Sequence, residues 1–347
     1  MSASGGERIL VVGPAWVGDM VMADSLFRLL KARDPQAHLC VVAPPSTAPL
    51  LDFLPAVDQV ERLAVASGKA GLSARWRLGR RLRREGFQRA LVLPRSWKSA
   101  LLPAIAGVPR RIGYRGELRW GLLSEQRRFD REAVPRSVDR FLALALPEGA
   151  PLPETPLPRM VVPEGALEAA LTATGLARPT QSLLALCPGA AYGPAKRWPA
   201  GHFAELAKAW STHGGAVWVF GQKQDQAAAA EILAAAPSAA SDLTGRTDLA
   251  GAVALLSLAT QVVSNDSGLM HVAAALARPL VALYGSSTAV QTPPLSPEAQ
   301  VLGLDLPCRP CHQRQCPLGH LRCLTELSPA MVLEALERPQ ERYEARS

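Results

Sequence analysis

The sequence is poor in aromatic residues and has no long apolar run, and both shortages exclude classes of protein. Phe, Trp and Tyr make up 5% of the 347 residues, and they do not alternate with basic residues as in proteins that stack nucleic-acid bases. No run of about 18 apolar residues occurs, so we predict no membrane-spanning helix. The segment from Met1 to Arg8 is small and polar and does not resemble a secretory signal. We therefore expect a cytoplasmic protein with reduced cysteines.

Two familiar ligand-binding motifs are also absent. The chain has no G-x-G-x-x-G pattern after a strand, which argues against a nicotinamide dinucleotide. It has no D-x-D triplet either, so a metal ion held by carboxylates against a diphosphate is not indicated. Fixed cations and a helix dipole would then have to stabilise a leaving phosphate.

Basic charge is abundant and uneven. The net charge is +8, and the segment from Lys69 to Arg140 contains 19 Lys and Arg residues against 6 Asp and Glu. Such a field attracts an anionic partner, which could be a phosphorylated sugar, an acidic membrane surface or a nucleic acid. The scarcity of aromatic residues disfavours the nucleic acid.

Apolar runs typical of buried strands alternate with helical segments along the whole chain. A strand at 8–13 precedes a helix at about 20–33, and the pattern restarts with a strand at 183–187. This alternation predicts an α/β protein with doubly wound parallel sheets. Six prolines between Pro147 and Pro163 can continue neither a helix nor a central strand. They predict a linker between two domains.

We place the first domain at residues 1–150, the linker at 151–163 and the second domain at 164–327. A terminal helical segment follows at 328–347. Two α/β domains joined in this way predict a ligand cleft between them.

The stretch from Val262 to His271 reads as a strand, a polar turn and the start of a helix. Asp266 or Ser267 would cap the helix through its side-chain oxygen, and Gly268 would let a ligand approach the backbone closely. The N-terminus of a helix at the end of a strand favours anions. His271 follows Ser267 by four residues, so both lie on one helical face.

Two further loops at strand ends carry charged side chains. Asp19 follows the first strand, at the start of a helix, where it could complement the helix dipole or face a ligand. Lys196 and Arg197 lie in the loop after the first strand of the second domain, where two cations suit a diphosphate.

Four motifs together resemble one enzyme family, the ADP-heptose:lipopolysaccharide heptosyltransferases of glycosyltransferase family 9. They are the stretches 16–20 (WVGDM), 187–190 (CPGA), 194–199 (PAKRWP) and 264–271 (SNDSGLMH). The resemblance implies a GT-B fold of two Rossmann-like domains facing across a cleft, with a terminal helix that commonly packs back on the first domain. It also implies inverting transfer of L-glycero-D-manno-heptose from ADP-heptose to the heptose of a lipid-anchored inner core.

The resemblance assigns roles by position. Trp16, Gly18 and Asp19 would contact the acceptor, with Asp19 as the general base. The donor residues would be Gly189, Lys196, Arg197, Gln222, Asp266, Ser267, Gly268 and His271. Among these, Lys196 would hold the phosphates, and the segment around Gln222 and Asp225 would contact the nucleoside. No cofactor would be required, and the enzyme would work at the cytoplasmic face of the anionic inner membrane.

Four cysteines cluster near the C-terminus. Cys308, Cys311, Cys316 and Cys323 form a C-x2-C-x4-C-x6-C pattern. In a reducing compartment this density suggests a structural zinc or iron site, and reduced thiols without metal are the alternative.

Two other functions remain open at this level. One is a nucleotide-sugar epimerase on the same scaffold, and the other is a non-catalytic protein that binds an anionic ligand through the arginine-rich first domain.

Overall fold

The computed structural model describes residues 6–65 and 69–337, and the chain divides into two compact units, Met1–Arg159 and Met160–Ser347. The division falls inside the expected proline-rich linker, where residues 150–163 form neither helix nor strand. Both units are α/β, as predicted. Among the described residues, no helix combines the length and apolar character needed to cross a bilayer.

The first unit is built on a parallel sheet of six strands. The strands are β1 (Arg8–Val12), β2 (His38–Ala43), β3 (Gln59–Arg62), β4 (Arg89–Val92), β5 (Arg110–Tyr114) and β6 (Glu125–Arg127). The helices are α1 (Val17–Arg33), α2 (Ala48–Leu51), α3 (Leu72–Leu82), α4 (Trp97–Ile105) and α5 (Ser137–Leu144). The strands pair in the order β3-β2-β1-β4-β5-β6.

The second unit repeats this plan. Its strands are β7 (Leu183–Cys187), β8 (Ala216–Val219), β9 (Ala240–Asp242), β10 (Gln261–Asn265), β11 (Leu280–Leu283) and β12 (Ala299–Leu302). Its helices are α6 (Glu164–Thr174), α7 (Ala200–Thr212), α8 (Gln226–Ala235), α9 (Leu249–Leu256), α10 (Gly268–Ala275), α11 (Arg322–Thr325) and α12 (Pro329–Glu337). The strand order is β12-β11-β10-β7-β8-β9.

Both strand orders follow the 3-2-1-4-5-6 pattern of the dinucleotide-binding fold. In each unit the order of the strands reverses between two central neighbours, β1 and β4 in the first and β7 and β10 in the second. Open α/β sheets bind ligands outside the carboxyl ends of the strands at this reversal. The topology therefore marks one candidate ligand site in each unit.

The central strands are continuous apolar runs because both faces of each sheet are covered by helices. Strand β1 and strand β7 are almost wholly buried. Short edge strands are less regular: β6, β9 and β12 carry polar residues at half-buried positions. Their polar sequences explain why apolar periodicity alone does not predict them.

The terminal helix α12 packs in the second unit. Its residues Val332, Ala335 and Leu336 join the apolar core that contains Trp198 and Phe203. Helix α12 thus contributes to the core of the unit in which it lies. Residues 338–347 of the expected terminal segment lie outside the described residues.

Asp24 is a buried carboxylate in the middle of helix α1. Its Oδ2 accepts a hydrogen bond of 2.9 Å from the backbone N–H of Arg159, and its Oδ1 has no partner among the described residues. Burial raises the pKa of Asp24 to about 6, although the Arg159 N–H and the Arg28 side chain pull it downward. The ionised form therefore costs folding free energy.

We predict that Asp24→Asn makes the protein more stable than the wild type above pH 6. The raised folded-state pKa means that Asp24 stabilises the fold fully below pH 4, and this contribution is lost as pH rises through about 6. The difference should reach about 3 kcal/mol at neutral pH. Thermal unfolding of both proteins between pH 4 and pH 8 measures it. Melting temperatures that differ by the same amount at every pH would contradict the assignment.

Candidate active site

In the first unit, the turn after β1 brings Asp19 to the reversal of strand order. The backbone N–H of Gly13 donates to the Val42 carbonyl at 2.8 Å, and the Thr47 hydroxyl donates to the Pro14 carbonyl at 2.8 Å. A Cβ on Gly13 would lie 2.5 Å from the Met20 side chain, so this glycine lets helix α1 start close to the sheet. Asp19 lies in the first helical turn, half-buried.

Trp16 and Gly18 belong to the same turn. Trp16 is the N-cap residue of α1, and its side chain is exposed, whereas Gly18 is half-buried within the first turn. The structure therefore places the three predicted acceptor residues within one short segment.

A cluster of guanidinium groups surrounds Phe129 at the same edge of the first sheet. The Cζ atoms of Arg95, Arg131 and Arg140 lie 3.9, 5.6 and 5.5 Å from the centre of the Phe129 ring. Burial lowers the pKa of Arg140. The nearby Asp19 carboxylate is among the groups that oppose this lowering. The base candidate therefore faces a strongly cationic neighbourhood. Sequence reasoning recognised the excess of basic charge but not this cluster.

Arg119 adds a buried cation to this edge. Its Nη1 donates to the Pro94 carbonyl at 2.9 Å, whereas its Nε and Nη2 have no hydrogen-bond partner among the described residues. Burial, together with the nearby Arg95 side chain, lowers the pKa of Arg119 to about 10. A buried guanidinium with two unused donor atoms destabilises the fold unless an anion or water accepts hydrogen bonds from these atoms.

In the second unit, an ion pair joins the two loops at the reversal of strand order. Lys196, after β7, donates to Oδ2 of Asp266, after β10. The Ser287 hydroxyl, after β11, donates to the same oxygen at 2.5 Å. The Lys196 ammonium also lies 5.0 Å from the centre of the Tyr192 ring. The Lys196 loop and the Asp266 turn are therefore in direct contact.

Asn265 fixes the loop that carries Lys196. Its side-chain oxygen accepts from the Trp198 N–H at 3.1 Å, and its Nδ2 donates to the Pro188 carbonyl at 2.7 Å. The buried Trp198 ring packs against Phe203, and its Nε1 donates to the Leu327 carbonyl at 2.7 Å. Both ends of the loop are therefore tied to neighbouring structure, which holds Lys196 in place.

The helix cap expected after β10 is built differently. Ser267 is the N-cap residue of α10, but neither its side chain nor that of Asp266 forms a capping hydrogen bond. The Asp266 carboxylate bonds to Lys196 and Ser287 instead, and the contact with Lys196 neutralises a nearly buried charge. The first turn of α10, which begins at Gly268, is thus not capped by a side chain.

His271 is buried on the inner side of α10. Burial lowers its pKa to about 4, with Asp266 opposing this shift and Lys196 adding to it. The imidazole is therefore neutral at pH 7 and adds no charge beside the ion pair. It can serve as a neutral hydrogen-bonding group or as packing.

The predicted nucleoside segment lies next to Gly189. The backbone N–H of Gln222 donates a hydrogen bond of 2.9 Å to one carboxylate oxygen of Asp225, and the Arg197 guanidinium lies 3.7 Å from the other oxygen. A Cβ on Gly189 would meet the Asp225 carboxylate at 2.4 Å, so only glycine fits there. The contact with Asp225 partly neutralises Arg197.

The four C-terminal cysteines do not form the expected metal-binding group. Residues 6–65 and 69–337 contain no set of three or more His, Cys, Asp or Glu side chains placed to hold a metal ion. The four thiols are free and line one small cavity. Cys323 is buried with α11, and burial raises its pKa, whereas backbone N–H groups of residues 318–321 lower the pKa of Cys316. The described residues therefore give no support to the structural zinc or iron site.

Comparisons with known proteins identify the family. Residues 75–322 match the model of glycosyltransferase family 9 (heptosyltransferase). Lipopolysaccharide heptosyltransferase 2 of Salmonella typhimurium is 44% identical over 95% of this chain and 97% of its own. Lipooligosaccharide heptosyltransferase 2 of Haemophilus influenzae is 38% identical over 95% and 98%.

Solved structures agree with these relatives. The E. coli ADP-heptose LPS heptosyltransferase II superposes with a TM-score of 0.83 at 43% identity, over 95% of this chain and 97% of that one. The E. coli heptosyltransferase WaaC with ADP has a TM-score of 0.70 at 19% identity, over 95% and 99%, and so shares the fold.

Two doubly wound units of this topology and the full-length match to a solved heptosyltransferase II identify the protein as a GT-B glycosyltransferase. The chain belongs to glycosyltransferase family 9, the heptosyltransferases, and its full-length similarity is to heptosyltransferase II proteins. It is an enzyme, so the non-catalytic alternative is excluded, and family membership favours glycosyl transfer over the epimerase alternative.

Proposed function

We propose that this protein transfers L-glycero-D-manno-heptose from ADP-heptose to the first heptose of the lipopolysaccharide inner core, with inversion at the anomeric carbon. The observation that carries the proposal is the fixed cation Lys196 at the ligand-binding edge of the second unit. The half-buried carboxylate Asp19 at the matching edge of the first unit supplies the other group that such a reaction needs.

The second unit binds ADP-heptose in this proposal. Lys196 neutralises the diphosphate, and the N–H groups that begin α10 at Gly268 add donors that no side-chain cap occupies. Asp266 and Ser287 act as positioning residues, because their contacts hold Lys196 and its loop rather than a phosphate. Gly189 and Gln222 line the segment proposed for the nucleoside, where Asp225 fixes the backbone.

The transfer is a single displacement. Asp19 takes the proton of the acceptor hydroxyl as that oxygen forms a bond to the anomeric carbon of the donor heptose. The bond between this carbon and the β-phosphate oxygen breaks, and its electron pair leaves with ADP. Lys196 stabilises the charge that develops on the leaving phosphate. Attack opposite the leaving group inverts the anomeric configuration.

The first unit binds the acceptor. Trp16 offers an exposed ring for sugar stacking beside Gly18 and Asp19, and the guanidinium cluster on Phe129 suits acidic groups of the inner core. Arg95 and Arg131 are exposed, and among the described residues neither forms an ion pair. The acceptor is lipid-anchored, so we place the enzyme at the cytoplasmic face of the anionic inner membrane, without a nucleic-acid partner.

We predict that Asp19→Asn lowers kcat by roughly 10² to 10⁴ and leaves ADP binding unchanged, because it removes the proton acceptor but keeps the shape of the side chain. The assay is ADP release from ADP-heptose, with and without a heptosyl-Kdo2-lipid A acceptor, in EDTA. Wild-type ADP release should depend on the acceptor. Full activity of the variant would exclude Asp19 as the base, and no wild-type release with the acceptor would refute the proposed reaction.

We predict that Lys196→Ala raises the KM for ADP-heptose and lowers kcat, each by about tenfold or more. The change removes the cation and also leaves the Asp266 carboxylate unneutralised beside the phosphates. Lys208→Ala, an exposed lysine on α7, makes the same charge change and should leave both constants unchanged. Equal kinetics of the two variants would remove Lys196 from the phosphate site.

We predict that Arg95→Ala raises the KM for the acceptor by roughly fivefold at low salt and leaves the KM for ADP-heptose unchanged. The matched control is Arg128→Ala, which removes an arginine of the same unit whose side chain is 82% exposed and lies 3.6 Å from Asp130. Steady-state kinetics at two salt concentrations measure both variants. An unchanged acceptor KM for Arg95→Ala would show that the Phe129 cluster does not bind the acceptor.

A further inference from the structure

Helix α3 presents two large apolar side chains to solvent. Leu72 and Trp76 are each 53% exposed, and they lie one helical turn apart on the same side of the helix. The opposite side is buried, since Leu78 and Leu82 belong to the apolar core of the first unit. Leu72 and Trp76 together form an exposed apolar patch on α3.

The same side of α3 and the turn after it carry cations without counter-ions. Arg77, Arg80, Arg83 and Arg84 are exposed, and none forms an ion pair within the described part of the chain. The Arg80 guanidinium lies 5.0 Å from the centre of the Trp76 ring. By contrast, the neighbouring Arg81 pairs with Glu61. Four uncompensated positive charges therefore border the two apolar side chains.

A second pair of exposed apolar side chains lies in the loop after β5. Leu118 is 82% exposed and Trp120 is 83% exposed, while Arg119 between them is buried. This loop, the start of α3 and the turn with Asp19 all follow strands of one parallel sheet, so they lie at its carboxyl edge. The apolar surfaces thus share an edge with the proposed acceptor site.

We propose that the α3 surface, formed by Leu72, Trp76, Arg77, Arg80, Arg83 and Arg84, docks on an anionic lipid bilayer, assisted by Leu118 and Trp120. Tryptophan prefers the headgroup region of a membrane, and arginines beside it pair with lipid phosphates. Each cation near an anionic leaflet adds roughly 1 kcal/mol of attraction. The inference rests on the proposed function in one respect, since a lipid-anchored acceptor requires the enzyme to work at a bilayer.

Docking through Leu72, Trp76 and the loop with Leu118 would hold the carboxyl edge of the first sheet near the headgroups, while Arg83 and Arg84 lie at the far end of α3. The acceptor sugar, which is anchored in the same leaflet, would then reach Asp19 without leaving the membrane. Membrane attachment would raise the local concentration of the acceptor at the site.

The test is co-sedimentation of the full-length protein with vesicles of phosphatidylglycerol and phosphatidylethanolamine, and with vesicles of phosphatidylcholine alone. Wild-type protein should bind the anionic vesicles, and binding should weaken as salt is raised. Two double variants, Leu72→Ser with Trp76→Ser and Arg80→Gln with Arg84→Gln, should each reduce the partition coefficient by about tenfold. The matched control, Arg33→Gln with Arg128→Gln, removes two exposed arginines of the same unit and should bind as the wild type does.

Activity on a short, water-soluble acceptor separates this inference from the proposed function. The α3 variants should transfer heptose to that acceptor at the wild-type rate. Vesicle binding by a protein that transfers no heptose would refute the proposed function and leave the docking surface in place. Heptose transfer with equal vesicle binding by wild type and α3 variants would overturn the docking surface. Self-association of the wild type without vesicles, lost in the α3 variants, would overturn it as well by identifying the surface as an interface between copies of the chain.

Discussion

The parallel pairing of the strands is the constraint on which the rest of this structure depends. Each unit is a six-stranded sheet in which all strands run the same way, so every turn that follows a strand lies at one edge. In the order 3-2-1-4-5-6, the connections that leave the two central strands run in opposite directions. A crevice therefore opens between them at the carboxyl ends of these strands. Asp19 in the first unit, and Lys196 with Asp266 in the second, lie in segments that follow the strands flanking this place.

The two units carry different arrangements of charged groups at their candidate sites. The first unit gathers Arg95, Arg119 and Arg140 at the edge that carries Asp19, which suits an acidic acceptor. The second unit keeps a single ammonium in place by pairing it with a nearly buried carboxylate, and it keeps His271 neutral by burial. A fixed cation needs little reorganisation when charge develops on a leaving phosphate.

Sequence reasoning predicted the elements that rest on apolar periodicity. Helix α1, strand β7 and strand β10 lie where the pattern placed them, because buried helices and strands repeat with fixed periods. It missed α6 and the polar edge strand β6, whose sequences carry weak patterns. The cysteine spacing suggested a structural metal or metal-free thiols, and the described residues contain no group placed to hold a metal ion, because spacing does not fix the relative positions of four side chains.

The sequence by itself determined the α/β class, because strand and helix periodicity is a local property. Its proline-rich linker and strand-end motifs predicted the two domains and the segments proposed to carry the chemistry. Only the tertiary structure decided which charges meet. Asp266 reads as a helix cap in the sequence, yet it pairs with Lys196, 70 positions away along the chain. Phe129 collects three arginines from separate segments. Such contacts depend on strand order in the sheet, which local patterns do not encode.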